Sequence, residues 1–141
     1  MVDLALLLLA TNLANLLDLR PGRAEKALLL VGAGLCLGYW TLGPIELLGL
    51  FLGPVAVGAW FTLRERAMLG DSGSNVIGAL IGISLVTTLS DPGRLVALGV
   101  LVALTIYGEF RSLSAAIERL PLLRHLDSVG RARLDDSSET G

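Results

Sequence analysis

Five apolar blocks, at 2–17, 27–42, 47–63, 75–89 and 95–107, are separated by short polar breaks that carry glycine or proline. A water-soluble helical protein interleaves polar residues along one face of each helix. These blocks do not, and they account for a chain that is 53% hydrophobic with a mean hydropathy of +0.71. The pattern predicts an all-α polytopic membrane protein, with about five transmembrane helices and a cytoplasmic amphipathic C-terminal segment. Each block falls short of the roughly 20 residues that a perpendicular helix needs to cross the hydrocarbon core. The helices are therefore expected to extend into their flanks or to thin the bilayer locally.

The distribution of charge orients the set. If the blocks alternate in direction, the breaks at 18–26 and 64–74 and the tail from 108 share one side. That side holds Arg20, Arg23, Lys26, Arg64, Arg66, Arg111, Arg119, Arg124, Arg131 and Arg133, and the other side holds Arg94 alone. By the positive-inside rule the first side is cytoplasmic, which puts the C-terminus inside and Asp3 outside. Asp3 stands where a secretory signal carries lysine or arginine, so the first block reads as a retained span. The net charge of −2 and the absence of a basic stripe with interleaved aromatics speak against a nucleic-acid partner. The single cysteine, Cys36, lies in an apolar run and reads as lipid-facing or packing. Pro54 and the many glycines within the spans suit close helix packing, with a kink expected at Pro54.

The domain reading follows: 1–107 is the membrane region, 108–131 two short amphipathic helices on the cytoplasmic surface, and 132–141 a disordered tail. Phe110, Leu113, Ile117 and Leu120 recur at helical spacing until Pro121, and Leu122, Leu123, Leu126 and Val129 follow. The final LDDSSETG has nothing to bury.

Two polar clusters break the apolar pattern on the cytoplasmic side. In the first, Asn12, Asn15 and Asp18 are three residues apart, drift by about 60° per step on a helix and share one broad face. Ionisable groups in or at the edge of a span cost about 2.5–3.5 kcal/mol on insertion scales and usually line a cavity or meet a partner. Interhelical hydrogen bonds from the asparagines, with Asp18 ending the helix, account for the spacing equally well. The second cluster is RERAMLGDSGSNVIG, Arg64 to Gly78. Gly70 and Gly73 bracket Asp71 and Ser72, and Ser74 or Asn75 is placed to cap the next span. Backbone amides at such a helix start favour an anion such as phosphate, and Asp71 offers a hard oxygen ligand for Mg²⁺. A turn with an N-cap is the plainer reading of the same residues. Because the clusters share a membrane face, Asp18 and Asp71 are expected to converge, and a cation would relieve their repulsion.

GDSGSNVIG resembles the GD(T/S)GS motif of the polyprenyl-phosphate N-acetylhexosamine-1-phosphate transferases, the family that includes the phospho-N-acetylmuramoyl-pentapeptide transferases. TNLANLLDLRPGRA resembles their NxxNxxDGxDGLA motif. The order of the motifs, the two intervening spans and the cytoplasmic siding are also similar to that family. The resemblance implies a Mg²⁺-dependent transfer of a sugar-1-phosphate from a UDP-N-acetylhexosamine to polyprenyl phosphate, for cell-envelope glycan synthesis at the bacterial cytoplasmic membrane. It implies Asp71 as the magnesium ligand, Asp18 and Asp71 as catalytic carboxylates, and Asn12 and Asn15 as part of the polar wall. Arg64, Arg66, Gly70, Ser72, Gly73 and Ser74 would contact substrate, and the segment IERLPLLRHLDSVGR would bring His125 to the nucleotide sugar. Positive-inside anchoring explains Arg64 and Arg66 as well.

The chain resembles only the second half of a family member, from the fifth span to the last cytoplasmic loop, and lacks the paired aspartates of an earlier loop. Leu19 replaces the first glycine of the DGxDG element and Pro21 its second aspartate, while Gly22 and Ala24 fit. Three expectations follow: an enzyme that is truncated or completed by a second polypeptide or a homo-oligomer; a catalytically degenerate relative that binds lipid phosphate or a partner; or an unrelated small membrane protein.

Overall fold

The computed structural model describes residues 1–64 and 66–110, the side chains of Glu109 and Phe110 excepted. The expected amphipathic helices beyond 110, the tail and His125 lie outside the described residues. Within them the chain is all-helical: α1 (Val2–Leu17), α2 (Arg23–Tyr39), α3 (Gly43–Thr62), α4 (Gly70–Thr88) and α5 (Asp91–Phe110).

Every apolar block became a helix, and four of the five begin earlier than the hydrophobic run. α2 takes in Arg23, Ala24, Glu25 and Lys26, α3 starts at Gly43 with Pro44 in its first turn, α4 takes in GDSGS, and α5 starts at Asp91 and runs through Phe110, beyond the expected boundary at 107. Polar residues and proline fit a first helical turn because its amides have no intrahelical acceptor to lose. α3 continues as one helix through Pro54. The GDSGS stretch is a helix start and not a loop before one. Leu69 is the N-cap, so neither Ser74 nor Asn75 caps the span.

α1 and α4 run antiparallel at the centre of the bundle. A Cβ added at Gly78 would stand 2.4 Å from Thr11 Cα, and one at Gly82 would stand 3.0 Å from Leu7 Cα. Only glycine lets the two backbones come this close, one helical turn apart along α4. Leu6, Ala10, Ile77, Leu80 and Ile81 complete the core at this seam, joined by Leu28 of α2, Leu48 of α3 and Leu101 of α5. α5 runs parallel to α1, and Arg94 reaches Asp3 at 3.3 Å to tie their first turns together.

The outer helices are apolar and little covered. α3 and residues 91–108 of α5 are long and apolar enough to cross a membrane. Their large apolar side chains point outward, Leu50 (92% exposed), Phe51, Val57, Val96 and Ile106 among them. α1 is apolar but shorter, at 16 residues, and the polar first turns of α2 and α4 lower their average.

Candidate functional site

The end of the bundle where α1 finishes and α4 begins carries the polar residues. Asp18 is the C-cap of α1, its own amide closing the last turn on Ala14 O at 3.0 Å. One turn earlier, Asn15 Nδ2 donates to Asn75 Oδ1 at 2.7 Å, and Ser74 Oγ donates to Asn15 Oδ1. Ser74 is buried, and its hydroxyl also lies 3.0 Å from Gly70 O and 3.2 Å from Asp71 O. A hydroxyl has one proton, so these acceptors share it.

Gly70 opens α4 with φ +66, and its backbone amide is near enough to the Asp18 carboxylate to favour the ionised form. The Asp18 carboxylate thus stands near this helix start, where the sequence suggested a phosphate. Burial, and then the charges of Glu25 and Asp71, push the Asp18 carboxyl above its ordinary range, against the lowering effect of the Gly70 amide. Asp18 and Asp71 thus lie within electrostatic reach of one another. Asp71 and Ser72 are exposed, and Gly73 packs under Leu69, whose Cδ2 would lie 2.7 Å from an added Cβ.

The remaining expected residues are not drawn into this cluster. Asn12 is exposed and its side chain makes no hydrogen bond among the described residues. The Arg64 guanidinium lies over the Trp60 ring, 3.3 Å from its centroid, and Arg66 is exposed, with its backbone amide on Phe61 O at 3.0 Å. Both sit at the same end as Asp18 and Asp71 without a described contact to either.

Glu25 and Thr62 belong to this end and escaped the sequence reading, which took Arg23 only as a basic residue of the cytoplasmic side. Glu25 is 1% exposed and accepts a hydrogen bond from Thr62 Oγ1 at 2.6 Å, which joins the start of α2 to the end of α3. Arg23 is buried beside it in the chain. Read as sequence, PGRAEK is a basic interfacial turn. Its burial depends on α3 and α4 folding over it, which no local pattern encodes.

Comparison with family models, curated proteins and solved structures finds no match.

The donor chemistry of the site fits Mg²⁺, because it consists of carboxylate, amide and hydroxyl oxygens, and Asp18 Oδ1 is buried without a hydrogen-bond partner. Among the described residues no three His, Cys, Asp or Glu side chains gather to hold a metal. An ion here would take one or two carboxylates, with water and phosphate oxygens completing its shell.

Proposed function

We propose that this chain is an integral membrane protein whose five helices all cross the bilayer, with the Asp18–Asp71 end at the cytoplasmic surface. There it resembles enzymes that move a sugar-1-phosphate from a UDP-N-acetylhexosamine to polyprenyl phosphate. The observation that carries this reading is the meeting of two sequence-distant motifs through Asn15, Asn75 and Ser74. The motifs were identified separately, by residue type and order, and nothing in their local sequence requires them to touch.

The membrane placement has its own support. Tyr39 and Trp40 are exposed at the Arg94 end, and Trp60, Phe61 and Tyr107 toward the other, where interfacial aromatics belong. The five described basic residues of the 18–26 and 64–74 breaks all sit at the Asp18 end. An apolar cavity of about 190 Å³ opens between α1, α2, α4 and α5, with Leu17 and Ala27 near the polar end and Leu85, Leu101 and Leu104 among its lining. Such a cavity suits a hydrocarbon chain whose phosphate stays at the surface.

On this reading Asp71 holds Mg²⁺, which would screen the two approaching phosphates. Asp18 lies beside the start of α4, and Asn15 holds Ser74 and Asn75. The departures at Leu19 and Pro21 favour a second reading, a relative that binds lipid phosphate or a partner without turnover. Exchange of radiolabelled UMP with UDP-N-acetylhexosamine, in membranes with and without Mg²⁺, separates the two. The transferase reading expects Mg²⁺-dependent exchange that Asp71→Asn abolishes. Lipid-phosphate binding without exchange supports the second reading, and exchange untouched by the substitution removes Asp71 from the metal site.

A further inference from the structure

Arg64 follows the end of α3, four residues beyond Trp60, and its guanidinium lies over the indole ring, 3.3 Å from the centroid. An arginine that serves only as an interfacial anchor extends its head into water. This one lies back over a side chain that is itself 56% exposed. Stacking engages the flat face of the guanidinium and leaves the N–H donors at its edge available. Arg64 and Arg66 are both exposed, and no carboxylate pairs with either among the described residues. The local balance of Arg64, Glu65 and Arg66 is positive.

Trp60 ends an outward stripe of α3. Leu50, Gly53, Val57 and Trp60 recur at intervals of three and four residues, and all are exposed. From Leu50 to Trp60 the helix rises about 15 Å, the depth of one leaflet of a hydrocarbon core about 30 Å thick. A cationic edge above a leaflet-deep apolar stripe is complementary to a lipid with an anionic head. A second copy of the chain fits worse. Two α3 stripes paired about a two-fold axis would set Arg64 against Arg64 at one end and exposed Glu46 against Glu46 at the other, like charge against like.

We infer that the outer face of α3 holds an anionic phospholipid of the cytoplasmic leaflet. Its phosphate takes the free edge of the Arg64 guanidinium, and an acyl chain runs along Trp60, Val57 and Leu50. The inference rests on the membrane placement proposed above and not on the transferase chemistry. It gives Arg64 a ligand on the lipid side of α3, away from the Asp18–Asp71 cluster.

The test uses the full chain in phosphatidylcholine nanodiscs that carry the same minor share of either brominated phosphatidylglycerol or brominated phosphatidylcholine. Quenching of tryptophan fluorescence is the readout. The chain has two tryptophans, so Trp40→Phe reports Trp60 alone, and Trp60→Phe reports Trp40, exposed at the Arg94 end. Brominated phosphatidylglycerol is expected to quench Trp60 as though enriched about fivefold over its bulk share, the worth of one arginine near an anionic surface. It should quench Trp40 no more than brominated phosphatidylcholine does. Adding Arg64→Gln to the Trp40→Phe chain removes the preference at Trp60. Equal quenching of Trp60 by the two lipids, or a preference that Arg64→Gln leaves intact, overturns the inference while the membrane placement stands. Trp60 shielded from both lipids with Trp40 quenched means that protein covers the stripe, which also overturns it. If neither tryptophan is quenched, the membrane placement fails and the inference with it. Loss of UMP exchange in Arg64→Gln with the lipid preference kept returns Arg64 to the nucleotide sugar, overturning the inference and leaving the transferase reading.

Discussion

At the scale of single residues, Asp18 is a buried carboxyl whose energetics can be read from pH. Its carboxyl is raised above the ordinary value of 3.8 by burial first and by Glu25 second. In the window from that value up to the raised one, the native state holds more protons at this site than the unfolded state. Stability at this site therefore falls as pH rises, and above the folded pKa the charged carboxylate is a standing penalty. With a chelator present, Asp18→Asn should be more stable than wild type at neutral pH. The Tm difference between variant and wild type should grow as pH is raised from about 4, the ordinary carboxyl range, up to the raised value in the folded protein. Thermal unfolding at several pH values checks this, and a difference that stays flat or shrinks contradicts it. Asn15, Asp18, Ser74 and Asn75 were legible beforehand because polar residues in an apolar chain stand out. Glu25 and Thr62 were not, because an acid in a polar turn and a threonine at a helix end look ordinary until the tertiary fold buries them.

Helices were the most legible level, since block periodicity and composition decide them. Their N-terminal bounds were not, because first-turn positions tolerate the same glycine, proline and acidic residues that mark loops. The same ambiguity hid the start of α4 inside GDSGS. Which glycines matter was also beyond sequence: the chain has 17, and only contact geometry separates Gly78 and Gly82, set against the α1 backbone, from Gly34 and Gly49, which face open space. A side chain at Gly78 must displace α1, since Thr11 Cα and Ala10 O cannot swing aside as a side-chain tip would. Gly78→Val should therefore destabilise by about 1–3 kcal/mol or more, the usual range for overpacking. Gly49→Ala, in open space within α3, should be neutral or stabilising by up to about 1 kcal/mol, because alanine restricts the unfolded chain. Unfolding of both variants in detergent, followed by circular dichroism, tests the pair. Equal effects would mean that α1 and α4 do not approach as closely as described.

For the whole molecule, the question is which polar breaks share an end, and charge and contact bear on it independently. Charge was legible in the sequence: ten basic residues fall on one side of an alternating path and Arg94 on the other. Contact was not, and among the described residues it groups the same breaks, since Asn15 meets Asn75 at one end and Asp3 meets Arg94 at the other. If five spans cross the bilayer, Ser72 and Ser90, both exposed and at opposite ends of α4, must open to opposite compartments. Single cysteines at these positions, in a Cys36→Ala background, report this directly. A membrane-impermeant maleimide added to intact cells should label Ser90→Cys and spare Ser72→Cys until the membrane is opened. The reversed pattern would break the positive-inside assignment and move the Asp18–Asp71 cluster away from cytoplasmic nucleotide sugars, ending the transferase reading. Labelling of both sites in intact cells would mean that α4 does not cross the bilayer. The buried seam of α1 and α4 would then be the core of a surface-bound bundle, with α3 and α5 alone meeting lipid.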